Sequence, residues 1–123
     1  MPNLEGDFAG VTSFPALFAA TDAATCFDTS HAFVFGLDAA AQAVFLREHG
    51  DRIAHVHLND TRTDENDEHL PVGLGRVDFG AIAAAIVETD WRGTCTHEVL
   101  RFDDTFEYVR TGKRRFEALL ADA

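Results

Sequence analysis

Short apolar runs alternating with helix-length amphipathic stretches constrain this chain more than any other feature. Residues 24–28, Ile53–Leu58 and residues 94–100 read as strands, and residues 3–8 as a shorter, mixed one. Between them lie segments with helical start and stop signals. Ser13 is placed to cap a helix running to Ala20, with Pro15 tolerated in its first turn. Asp38 caps AAAQAVFLREHG, which Gly50 stops, and Asp78 caps FGAIAAAIVE. A last helical stretch begins at Asp103, with a break expected near Thr111 and Gly112. Strands joined by crossovers of helix length pair in parallel, so the expected class is α/β, with about four β/α units and the helices outside one sheet.

Composition limits what such a unit can do. With 123 residues and 46% hydrophobic residues, the chain holds one modest core, so residues 1–123 are read as a single domain. Asp plus Glu number 21 against 10 Lys plus Arg, Lys113 is the only lysine, and the formal net charge is -11. Such a surface repels a nucleic-acid backbone unless metal ions supply the positive charge. Thirteen aspartates with almost no lysine also suit a halophilic protein kept soluble at high salt. No apolar run approaches the roughly 20 residues needed to cross a bilayer. The start of the chain lacks a basic and apolar leader, so a cytoplasmic, membrane-free setting is expected. Cys26 and Cys95 stand in apolar stretches and are expected to be buried strand residues in a reduced compartment.

The histidines and carboxylates recur at one place in each unit. Asp28 and His31 follow the first clear strand and His57 and Asp60 the next; Asp67 and His69 lie in the long segment NDTRTDENDEHLPVGLG, and Glu98 comes late in the last strand. In parallel β/α folds the carboxyl ends of the strands face one common surface, so these side chains are expected to converge. Imidazole with carboxylate suits zinc, manganese or iron, with zinc or manganese foremost. A blander reading stands beside each residue. His57 could be a core histidine satisfied by backbone, and DENDEH a solvated acidic loop. His55 lies on the same side of its strand as His57, so one could be a ligand and the other its support. His97 faces the other way and is read as structural. Arg47 and His49 sit at a helix C-terminus, where positive charge is favourable without any further role. Glu98 would be costly to bury unpaired, which favours a ligand or general-base role over a surface one.

CFDTSHAF, HVHLNDT, DEHLPVGLGRVDFGAI and the late Glu98 together resemble the xylose isomerase-like TIM-barrel superfamily. It includes sugar-phosphate isomerases and epimerases and the endonuclease IV type of DNA-repair enzyme. The resemblance implies a partial (β/α)8 barrel corresponding to its second half, since a full barrel takes about 250 residues. It implies divalent-metal ligands at Asp28, His31, His57, Asp67, His69 and Glu98, with Glu98 or Glu5 as the catalytic base. Under an isomerase or epimerase reading, a small sugar or sugar phosphate is the substrate and Arg76 the cation closest to a phosphate. An endonuclease IV-like reading instead implies cleavage of a phosphodiester at abasic DNA by two or three metals. A third reading is a noncatalytic half-barrel. Each leaves room for a partner chain, or self-association, to complete the barrel.

Overall fold

The computed structural model describes residues 14–100 and 103–123. The elements run α1 (Phe14–Ala20), β1 (Thr25–Asp28), α2 (Thr29–Val34), α3 (Ala39–His49), a 3-10 turn (Gly50–Arg52), β2 (Ile53–Leu58), α4 (Phe79–Thr89), β3 (Thr94–His97) and α5 (Thr105–Asp122). The strands form one sheet in the order β1-β2-β3, both pairs parallel, as the crossover lengths require. The three strands and five helices are those of a partial TIM barrel. A fourth strand expected at residues 3–8, the Ser13 cap and Glu5 lie outside the described residues.

Register explains why one face of the sheet is apolar and the other chemical. Phe27 pairs with Val56, and Leu58 with His97, so these side chains share the face turned toward the helices. There Phe27, Val56 and Leu58 are buried against Ala43, Leu46, Ile82, Ala83 and Ala85 from α3 and α4. On the opposite face Cys26 pairs with His55, Asp28 with His57, and both histidines continue to Thr94 and Thr96 of β3. Among the described residues no helix covers that row: Cys26, Thr94 and Thr96 are exposed.

Caps follow the sequence closely. Asp38 accepts from Ala41 N, and Asp78 from Gly80 N and Ala81 N, each carboxylate meeting backbone donors the first turn leaves free. At the amino end of the sheet, Arg52 ties α1 down by donating to the carbonyls of Phe18, Thr21 and Ala23. Trp91 Nε1 donates to Ile53 O there at 2.9 Å.

Three expectations are corrected. The strand expected over residues 94–100 ends at His97, because beyond it Leu100 N pairs with His69 O of the long loop instead of with β2. The last helix is unbroken through Thr111 and Gly112. Gly112 is buried, and a Cβ there would lie 3.1 Å from Val72 N and 3.2 Å from Pro71 Cβ. Close packing of α5 on this loop therefore offsets the roughly 1 kcal/mol that glycine costs a helix. Finally, Cys26 and Cys95 are exposed, the first on the open face and the second on an edge strand. Packing around the Cys95 sulfur still pushes its thiol up to about 11.

Candidate metal centre at the carboxyl end of the sheet

The D-x-x-H spacing has a local physical reason. Asp28 ends β1 and is the N-cap of α2: its Oδ1 accepts from His31 N at 2.9 Å. That bond places residue 31 in the first helical turn, directly over the cap, and turns Oδ2 away from the helix. His31 Nδ1 then lies 3.5 Å from Asp28 Oδ2. His57 arrives by register, opposite Asp28 in the parallel ladder, with its Nδ1 3.7 Å from the same oxygen.

Glu98 follows the last residue of β3, and its backbone N–H continues the ladder onto Leu58 O. Its Oε2 lies 3.2 Å from His57 Nδ1 and its Oε1 3.0 Å from His69 Nε2. Asp67 closes the ring, with Oδ2 3.4 Å from both His31 Nδ1 and His69 Nε2. His69 reaches inward because its backbone is left-handed, at φ 53. For a non-glycine residue that conformation costs roughly 1–2 kcal/mol. All six residues expected from sequence with described positions meet here.

Ligand atoms of Asp28, His31 and Asp67 lie within 4.8 Å of one another, as do those of Asp28, His57 and Glu98, so the two groups share Asp28. Among the described residues the ion pairs of these three carboxylates are all with histidines. Their negative field, after burial itself, raises the Cys26 thiol, with Asp28 and Glu98 as the charged causes. Asp67 Oδ2 is buried and accepts no hydrogen bond. A buried carboxylate oxygen without a donor is costly, and a cation removes that cost. The donor set therefore fits a divalent ion held by nitrogen and oxygen.

The long loop is compact, and Asp60 is the reason. Fully buried, it accepts from Thr61 N and Val77 N through Oδ1 and from Gly73 N and Gly75 N through Oδ2, all at 2.9–3.0 Å. Asp60 thus leaves the strand-end constellation and works as the hub that folds the loop back onto the site. A bridge between Asp60 and Leu70 pins the segment carrying Asp67 and His69. Within DENDEH the two readings divide by residue. Asp64 and Glu65 are exposed, and Glu68 pairs outward with Arg62, whose hydrogen bonds hold it down to about 2. Asp67 and His69 turn inward.

Other side chains resolve the remaining alternatives. His55 bonds Thr94 through Nδ1 and Thr96 through Nε2 at 2.9 Å, meeting His57 only by an edge-on ring contact, so it does not hold a ligand by hydrogen bonding. His97 packs on Phe116, and burial, then Lys113, lowers its pKa, in keeping with a structural role. Arg47 pairs with Glu88, His49 rests on Phe18 and Phe45, and the Arg76 guanidinium lies over Phe33. Reading by residue type missed Ser30 and Asn59. Both are fully buried between Asp28 and Asp67, and the only signal for them was a polar pair beside each motif histidine.

A parallel β/α sheet whose strand ends gather histidines and carboxylates is that of a partial TIM barrel with a candidate metal site. The chain belongs to the xylose isomerase-like TIM-barrel family, whose model matches residues 17–119. It is also similar to the uncharacterized protein y4fM of Sinorhizobium fredii (strain NBRC 101917 / NGR234), at 29% identity over 104 residues. That match takes in 80% of this chain but 32% of the relative, so the chain spans about a third of the relative's length. Among the described residues, no helix is long and apolar enough to cross a membrane.

Proposed function

We propose that this chain carries the metal-binding half of a divalent-metal-dependent sugar or sugar-phosphate isomerase or epimerase, completed by further strands from a partner chain or a second copy. The observation that supports it most is the orphaned, buried Asp67 Oδ2 inside a ring of three carboxylates and three histidines. Asp28, His57 and Glu98 would hold one ion, and Asp28, His31 and Asp67 a second, with zinc or manganese best suited to the donors. A bound ion supplies Lewis acidity, polarising a carbonyl and its neighbouring hydroxyl.

The chain's own residues divide the remaining work by exposure. The side chain of Glu98 is 34% exposed against 15% for Asp28 and 9% for Asp67, so it is the carboxylate a substrate can reach. Glu98 is accordingly the group that moves a proton between adjacent carbons. His69 Nε2, 3.0 Å from Oε1, orients it. A net charge of -11 opposes an endonuclease IV-like reading, because a DNA backbone would be repelled.

Chelator-stripped protein titrated with Mn2+ or Zn2+ tests the reading. Binding is expected, with a raised melting temperature, and His57→Ala should weaken it by at least about 100-fold. Unchanged affinity in that variant would refute the site. Together with the chain that supplies the missing strands, turnover of ketoses supports the isomerase. Cleavage of abasic DNA with three bound ions supports the repair enzyme, and a metal-free, inert assembly supports the noncatalytic half-barrel.

A further inference from the structure

Ser30 and Asn59 form a buried clamp between the two carboxylates that line the His31 side of the site. Asn59 Oδ1 accepts from Ser30 N at 3.1 Å and lies 2.7 Å from Ser30 Oγ, while Asn59 Nδ2 donates to Asp28 Oδ2 at 3.3 Å. The Ser30 backbone donor fixes which way the amide points, since a flipped amide would set N–H against N–H. Ser30 Oγ also contacts Asp67 Oδ1, and lies 3.4 Å from Asp28 Oδ1. Thr29 anchors the other end of the clamp: its Oγ1 donates to Asn59 O at 2.7 Å and accepts from Asn59 N at 3.1 Å.

The count of protons matters. The Ser30 hydroxyl has one hydrogen, and its three oxygen neighbours, Asn59 Oδ1, Asp28 Oδ1 and Asp67 Oδ1, are all acceptors. Donors are therefore short on this side, in the same place where Asp67 Oδ2 accepts no hydrogen bond. On the other side, Glu98 meets His57 and His69 and has no bond to Ser30 or Asn59 among those formed by the described residues.

From this asymmetry we infer that Ser30, through its contact with Asp67, is a positioning residue for one of the two ion positions, the Asp28–His31–Asp67 group, while Asn59, which donates to the shared Asp28, supports both. With Asp67 Oδ1 engaged by the Ser30 hydroxyl and by His69 N, Oδ2 is left as the oxygen presented to a cation beside His31. The clamp sets the affinity of that position and so decides whether the site loads one ion or two. This rests on the metal-site reading above.

Calorimetric titration of the stripped chain with Co2+, read together with the visible absorption of the bound ion, separates the two ideas. The wild-type chain is expected to take two ions with two spectral signatures. Ser30→Ala is expected to weaken one class by about 10- to 100-fold and shift its band, leaving the other class and its band unchanged. Ser30→Cys, a similar shape with a much weaker donor, keeps the volume filled and is expected to show the same selective loss in smaller measure. Two ions bound with unchanged affinities in both variants would overturn the clamp alone. A wild-type chain that binds no Co2+ would overturn the metal-site reading and the clamp with it. Equal weakening of both classes, at an unchanged melting temperature of the metal-free protein, would also overturn the selective role.

Discussion

Asp60 and Asp67 belong to one loop, and both carboxylates are withdrawn from water, yet their surroundings are opposite. Asp60 is met by four backbone N–H groups from residues 61, 73, 75 and 77, fixed donors that neutralise the charge locally. Asp67 is met by imidazoles, a contested serine proton and its neighbour His69 N, and its Oδ2, 3.4 Å from two imidazoles, accepts no hydrogen bond. A carboxylate saturated by backbone organises structure, whereas one left short of donors among histidines is available to an ion. Residue type and exposure are similar; the supply of donors separates the roles.

The comparison breaks most visibly at the hub. Asp60→Ala strips the partner from four buried N–H groups, each costing about 1–3 kcal/mol when unsatisfied. The expected loss, after relaxation and entry of water, is at least about 3 kcal/mol in chemical denaturation. Metal affinity should fall with it, because the loop carrying Asp67 and His69 comes loose. Asp67→Asn should do the reverse: the metal-free protein keeps or slightly gains stability, as an uncompensated buried charge is removed, while affinity on the His31 side drops by tenfold or more. Thermal melts with and without Mn2+ distinguish these outcomes, and a large loss of metal-free stability in Asp67→Asn would erase the distinction between the two carboxylates.

A smaller effect sharpens the contrast. A Cβ at Gly75 would lie 2.3 Å from Asp60 Oδ1 and 2.5 Å from Thr61 O, so Gly75→Ala displaces the hub without deleting it. The expected cost is about 1–3 kcal/mol, below that of Asp60→Ala, with both ion positions retained. Smaller still is Gly112→Ala. Contacts of 3.1–3.2 Å with the loop should offset the gain in helix propensity, leaving a net loss near ~1 kcal/mol. A stabilised Gly112→Ala protein would show that α5 does not depend on this close approach.

Much of the fold was legible because its signals are local. Asp38 and Asp78 announce helix starts since a short carboxylate reaches the free N–H groups of the next turn, and the helices begin where those caps stand. Ile53–Leu58 was legible from its β-branched and apolar content bounded by a polar segment. The candidate ligands were legible for a related reason: in a parallel sheet the strand ends share a face, which gathers these residues together with Asp60, and the family resemblance then implies the six. Other features depended on distant neighbours. Glu98 keeps a ladder bond beyond the last strand residue because Leu58 O is free, and Leu100 is drawn off by His69 O. Gly112 looked like a helix breaker, since nothing in its neighbourhood along the chain announces Pro71 and Val72.

By itself the amino-acid sequence determined the α/β alternation, the helix starts and the identity of the six metal-ligand candidates. The alternation and the helix starts follow from periodicity and capping within a few positions, and the six candidates from residue chemistry at the strand ends read with the family resemblance. Only the tertiary structure decided which acidic residue became a hub and which turned in among the histidines, and that Ser30 and Asn59 stand between Asp28 and Asp67. It also decided that Cys26 faces out from the open side of the sheet. The reason is the same in each case: the role of a polar group is set by the donors and charges around it, and folding draws those from parts of the chain that composition and spacing do not connect.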